Sequence, residues 1–337
     1  MLGLHSADHS DAPIKVLSHA LPSPSSGGHA FPAIISSLHE QTPTSPTCWI
    51  NVFHALPGRF SLDDLPTSPP STPGPPIGGD DYFTSKVFDS AVPIMDYQQE
   101  TTSMPPSPRP VVPPSSVDVS IVERYIPPSS ANEFSEMFNL RGPSLLVDRL
   151  VELSPDNGTL IFIYPTKRGA ETFVNDYLAP ILDPMLRAMV VINGFSADVG
   201  PALGKMVAAE SLPTHETMKR RIAQLCRSLS QPNMEKFQRR PSTFSLVYSA
   251  KEEVHLERNI WARDWWCKQE KPRIRDVISR YFRMVNRAAD NKTPTSLVHE
   301  ILDGVASRPY RDGREVRSGI EVSAFVIRRS KQRTLRA

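Results

Sequence analysis

The sequence predicts an α/β layered domain with a mixed sheet, preceded by a long disordered Pro/Ser-rich tail, and three observations predict it. Of the 34 prolines, 22 fall in residues 1–130. Net charge changes sign at the same place, from −7 over residues 1–130 to +9 over the rest, for a chain total of +2. Beyond about Val117, short apolar runs alternate with stretches whose apolar residues recur every three or four positions, the pattern of strands separated by helices. The expected partition is an acidic tail at 1–116, an α/β domain at 117–330 and a basic run at 331–337.

Within the tail, "LPTSPPSTPGPPIGGDD" and "MPPSPRPVVPPSS" hold neither a helix nor a central strand. Proline removes amide donors and forces its neighbours into extended conformations. Such segments bury too little apolar surface to offset the entropy of ordering. Two apolar islands, Cys48–Phe60 and Asp80–Tyr97, read as short docking motifs or as chance clusters. Ser/Thr-Pro pairs at Ser23, Thr42, Ser45, Ser68, Thr72 and Ser107 match the minimal site of a proline-directed kinase. A chain starting near Val117 is expected to fold without this tail.

Each element of the domain has its own signal. Ser130 and Glu133 stand at capping-box spacing before Phe134, Met137 and Phe138. Leu146, Leu150 and Leu153 share a helix face, stopped at Ser154-Pro155. Asn157-Gly158 turns the chain into Thr159–Tyr164, too continuously apolar for an exposed edge and so expected to be buried on both faces. Thr166 caps the following helix. Met218, Ile222, Leu225, Cys226 and Leu229 follow the rhythm of an amphipathic helix. Thr243–Ser249 reads as a strand, Ile274–Val285 as a helical stripe, Thr293-Pro294 as a helix start and Gly319–Ser330 as a closing strand.

The stretch "LLVDRLVELSPDNGTLIFIYPTKRGAETFVNDYL" resembles the helix–strand–helix that opens the second RecA-like lobe of superfamily 2 helicases. It also resembles the late helix and fifth strand of a Rossmann-type methyltransferase, with Thr243–Ser249 and Gly319–Ser330 in the place of the final antiparallel pair. The second resemblance implies a Rossmann-like fold and S-adenosylmethionine as cofactor. In overall style the chain resembles Ser/Pro-rich fungal proteins in which such a leader precedes a lone α/β domain.

The chemistry each likeness needs is not spelled in the sequence. "GPALGKM" (Gly200–Met206) is too short between glycines for a phosphate loop and carries Met206 where a metal-binding hydroxyl belongs. No GxGxG precedes Asp156, so the cofactor loop falls by default on Asn193, Gly194, Asp198 and Gly200, after the apolar run taken for a strand. No GxSxG or HExxH stands in the chain, so no catalytic or metal residue is assigned. Lys167 and Arg168 are expected to be solvated rather than phosphate ligands.

Trp261, Trp265 and Trp266 are interleaved with Arg258, Arg263 and Lys268, which reads as core packing with nucleic-acid stacking as the alternative. "RRPS" marks Ser242 as a basophilic kinase site, and Arg328, Arg329, Lys331 and Arg333 as part of a nuclear import signal. Three cysteines without CxxC spacing indicate neither a disulfide framework nor zinc, hence an intracellular setting, nuclear or cytoplasmic. No secretory signal or membrane span is read in the sequence.

Taken together, the residues read as a phosphoregulated interaction protein with a non-catalytic α/β domain, no cofactor, and a protein partner reached through the tail. The alternatives are a divergent S-adenosylmethionine-dependent methyltransferase-like enzyme and an RNA- or DNA-binding protein.

Overall fold

The computed structural model describes residues 13–41, 49–56, 65–66, 87–93, 110–140, 142–231, 241–285, 293–310 and 316–332. At its centre is a seven-stranded sheet of order β3-β2-β1-β4-β5-β7-β6. Its strands are β1 (Ile14–Leu21), β2 (Ile50–Leu56), β3 (Val87–Pro93), β4 (Val119–Arg124), β5 (Asp156–Pro165), β6 (Ser242–Val254) and β7 (Ile320–Lys331). The first five pair in parallel, and β7 lies antiparallel between β5 and β6. The fold is α/β and Rossmann-like with a mixed sheet, as the sequence predicts.

The division at residue 116 does not hold. Strands β1 to β3 and helix α1 (Phe31–Gln41) all come from the stretch expected as a disordered tail. β1 is an interior strand, pairing Ile14 with Ile50 on one side and Val16 with Val119 on the other. Its Val16 and Leu17 are fully buried, as are Phe31 and Ile35 of α1. The prolines sit mostly between these elements. Pro32, in the first turn of α1, occupies a place where an amide is not needed. The apolar surface that the segment lacks on its own is supplied by the downstream half, so the entropy argument fails. A chain starting at Val117 would therefore lack three of the seven strands.

Helices α2 (Glu133–Glu136) and α3 (Leu145–Glu152) lead to β5. Glu133 forgoes the capping box and turns inward to Arg124, while the Ser130 hydroxyl accepts from Asn132 N at 3.2 Å. All eight residues of α3 are buried, including the charged Asp148, Arg149 and Glu152. Leu160, Phe162 and Tyr164 of β5 are fully buried and Ile161 and Ile163 are 9 % exposed, so both faces are covered. In the irregularity near the start of this strand, between Asp156 and Thr159, Asn157 adopts φ 65°, a left-handed conformation that asparagine tolerates.

After β5, the Thr166 hydroxyl accepts from Gly169 N at 3.1 Å and starts α4 (Lys167–Thr172). α4 runs through a π-helical segment (Phe173–Leu178) into α5 (Ala179–Asn193). Two short helices follow, α6 (Val199–Gly204) and α7 (Val207–Ser211), then α8 (His215–Leu229). In α8 the predicted stripe of Met218, Ile222, Leu225, Cys226 and Leu229 is the buried face. A second π-helical segment (Asn259–Cys267) continues into α9 (Lys268–Val285), and α10 (Pro294–Ser307) is capped by Thr293. Among the described residues, no helix is long and apolar enough to cross a membrane.

Candidate functional site

The strand order reverses between β1 and β4, with β2 and β3 on one side and β5, β7 and β6 on the other. In open α/β sheets, ligands bind outside the carboxyl ends of the strands at such a reversal. Here the loop "PSPSSGGHA" (Pro22–Ala30) leaves β1, and "YIPPS" (Tyr125–Ser129) leaves β4. The first supplies a glycine turn, Gly27-Gly28, in place of the GxGxG that the sequence lacks. Gly28 has φ 79°, open to glycine and strained for other residues.

Three groups converge on this turn. Glu123, fully buried at the end of β4, accepts from Ala30 N and from the Tyr125 hydroxyl, each at 2.7 Å. His29 packs against Trp265, ring centroids 5.0 Å apart, with its Nδ1 3.8 Å from Glu123 Oε1. Trp265 in turn stacks on Tyr125 at 5.6 Å and 12°. The β1 loop is fastened to the same π-helical segment. Ser23 donates to the Asp264 backbone carbonyl at 2.7 Å, and Ser25 to the Asp264 carboxylate at 2.6 Å. A Cβ on Gly28 would stand 2.6 Å from Ile260 Cγ2. The crevice is therefore filled by the protein's own side chains.

Burial dominates its electrostatics. It pushes the pKa of His29 below the ordinary imidazole value, against the pull of Glu123 and the Ser23 backbone. It raises Tyr125 well above the phenol range, with Glu123 adding to the effect. Glu123 Oε1 and Trp265 Nε1 are buried without a hydrogen-bond partner among the described residues. Such orphans are uncommon and costly in a folded interior.

Beside this plug runs a second buried network. Arg124 donates to Gln269 Oε1 at 2.6 Å and to Glu133 Oε2 at 3.0 Å. Tyr164 donates to Glu133 Oε1 at 3.1 Å. Burial raises the Glu133 pKa, and Arg124 opposes that rise. Gln269 donates onward to Glu270, which also accepts from Ser129 and Arg273, each at 2.5 Å. Glu270 and Arg273 line a cavity of about 290 Å³ together with Ser129, Lys205 and Met206. With every carboxylate of the chain Arg124–Glu133–Glu270 already bonded, the network reads as a brace holding α9 to the end of β4.

The residues proposed from sequence lie elsewhere. Asn193, Gly194, Asp198 and Gly200 stand where α5 passes into α6, so they follow a helix rather than a strand. The apolar run before them is the last turns of α5 rather than a strand, and Gly194, at φ 59°, is its left-handed cap. Trp261, Trp265 and Trp266 are at most 1 % exposed, so base stacking on them is excluded and the core reading is correct. Arg258 is drawn inward to the Val305 carbonyl at 2.8 Å, leaving Arg263 and Lys268 exposed. Lys167 and Arg168 are solvated, with only 4.0 Å contacts to Glu171 and Glu321.

Two of the phosphorylation candidates are closed to a kinase. Ser23 is 8 % exposed, and Ser242 is 3 % exposed and accepts from Arg329 at 3.0 Å. Thr42, Ser45, Ser68, Thr72 and Ser107 lie outside the described residues. The import signal is also largely accounted for by structure, since Arg328, Arg329 and Lys331 belong to β7. Arg329 is buried and donates to the Val151 carbonyl at 3.0 Å and to Leu153 at 2.5 Å; Arg333 lies outside the described residues.

Sequence reasoning missed Gly27-Gly28, His29, Glu123 and Tyr125. The signal was an apolar strand, "IKVLSHAL", followed by "SSGG" and a helix with early proline.

No family model matches the chain, and no curated protein matches it either. Among solved structures it is similar to "Loganic acid methyltransferase with SAH", at 11 % identity and a TM-score of 0.43, over 96 % of this chain and 86 % of that one. It is also similar to a coclaurine N-methyltransferase bound to N-methylheliamine and SAH, at 10 % identity and a TM-score of 0.28, over 93 % of this chain and 67 % of that one. Both likenesses are weak.

Proposed function

We propose that the chain is a divergent methyltransferase-like protein that keeps a Rossmann-type methyltransferase fold and has shut the crevice where that fold would take S-adenosylmethionine. The shut crevice carries this reading: Trp265, stacked on Tyr125 and against His29, fills the strand-order reversal. The residues do not fit the cofactor as they stand. Space beside Gly28 is taken by Ile260 and Trp265, and β2 ends in Ala55-Leu56 rather than in an acid suited to a ribose. No methyl-transfer step is assigned. The test is calorimetry of the full chain with S-adenosylmethionine and SAH. The reading expects no binding below the millimolar range, and micromolar affinity for either compound overturns it.

The second reading is an active methyltransferase-like enzyme whose crevice opens when the Asn259–Cys267 segment swings away. It is favoured by the Gly27-Gly28 turn and by the unpartnered polar atoms of Glu123 and Trp265. It expects S-adenosylmethionine to bind the wild type and Gly28→Val to abolish that binding. An interaction role is compatible with either reading, with a protein partner and a proline-directed kinase acting at Thr42, Ser45, Ser68, Thr72 or Ser107.

A further inference from the structure

The same π-helical segment that buries its tryptophans inward turns a basic face outward. Arg263, Lys268 and Lys271 are exposed and spaced i, i+5, i+8 along the continuous helix formed by the segment and α9. Opposite them α10 presents His299, Asp303 and Ser307 at i, i+4, i+8. The two rows are held apart by a narrow floor, where the Cys267 thiol donates to the Leu302 carbonyl at 3.4 Å. Between the walls lies a groove of about 510 Å³. That is within the roughly 300–1,000 Å³ range of small-molecule sites.

The geometry points to this groove as a binding site for a compact anion bearing several phosphate groups. Arg263 and Lys271 face a single carboxylate, Asp303, so the walls carry an excess of positive charge. Two arginine or lysine heads on one wall and hydrogen-bonding His299 and Ser307 on the other allow one multivalent anion to be gripped from both sides. Burial pushes the Cys267 thiol up to about 12, so the floor adds no competing negative charge and no nucleophile. The site is separate from the crevice at β1 and β4, and it does not depend on whether that crevice takes S-adenosylmethionine.

The probe is inorganic tripolyphosphate, titrated into the full chain by calorimetry in moderate salt without metal. Binding should be at least tenfold tighter than that of orthophosphate. The double change Arg263→Ala/Lys271→Ala should weaken it about tenfold or more while leaving the thermal midpoint close to wild type, because both side chains are exposed. Asp303→Asn should instead tighten binding severalfold, an effect in the direction opposite to that of damage to the fold. Failure of tripolyphosphate to bind below the millimolar range, or binding unchanged by both variants, overturns the proposal.

Discussion

At the scale of single residues, position in the sheet decides what a charged or polar side chain does. Arg329 looks like one base in a basic run, yet its guanidinium ties β7 to the Val151 and Leu153 carbonyls and to the hydroxyls of Ser115 and Ser242. Arg329→Met should destabilise the protein by about 3 kcal/mol, because it leaves buried carbonyls without a donor. Denaturant unfolding would show it, and a loss under half a kcal/mol would mean that solvent replaces the guanidinium. Thr166 makes the contrasting case. Thr166→Ala should cost on the order of 1 kcal/mol through the lost cap. By comparison, Lys167→Ala/Arg168→Ala should stay within about 0.5 kcal/mol of wild type, as expected for exposed positions.

At the scale of elements, legibility followed the strength of local periodicity. The stripe of α8, the caps of α4 and α10 and the apolar run of β5 are spelled in adjacent residues, so they could be read directly. β1, β2 and β3 are eight, seven and seven residues long and lie among prolines, so averaging over the region hid them. The site was least legible because Glu123, His29 and Trp265 meet only through topology, from positions far apart in the chain. Within the sheet, Ile161→Asp in β5 should destabilise by several kcal/mol, since a charge would be buried without a partner. A midpoint near wild type would place β5 at an exposed edge. Deleting residues 1–116 should abolish cooperative unfolding altogether, a result that circular dichroism during thermal melts can decide.

At the scale of the whole molecule, buried ionisable groups set how stability responds to pH. Burial, with Arg149 and Arg124 assisting, lowers the His19 pKa from 6.5 to about 3. The contribution of neutral His19 is full above pH 6.5 and is lost as pH falls towards about 3, because the unfolded chain takes up the proton first. Burial raises the Glu152 pKa from 4.5 to about 7, against the pull of Arg149. Its contribution runs the other way, full below pH 4.5 and lost as pH rises through about 7. Between pH 4.5 and 6.5 the two oppose each other, so the wild-type dependence should be shallow. His19→Gln removes one arm. Relative to that variant, wild type should lose up to about 1.4 kcal/mol per pH unit below 6.5. Denaturant midpoints measured from pH 4.5 to 7 check this, and parallel curves for the two proteins would contradict it.

The place of β7 has a bearing on biosynthesis. It follows β6 in sequence by more than sixty residues, yet it lies between β6 and β5 and is the strand that joins them. A ribosome that has delivered everything up to α10 has made six strands, but it has left β5 with an open edge and β6 with no strand to pair with. A premature stop between α10 and Ile320 would strand the chain in that state, displaying unpaired strand edges of the kind that recruit chaperones or seed aggregates. Closure of the sheet therefore waits for β7, and until that strand is made β5 and β6 have no described strand to join them.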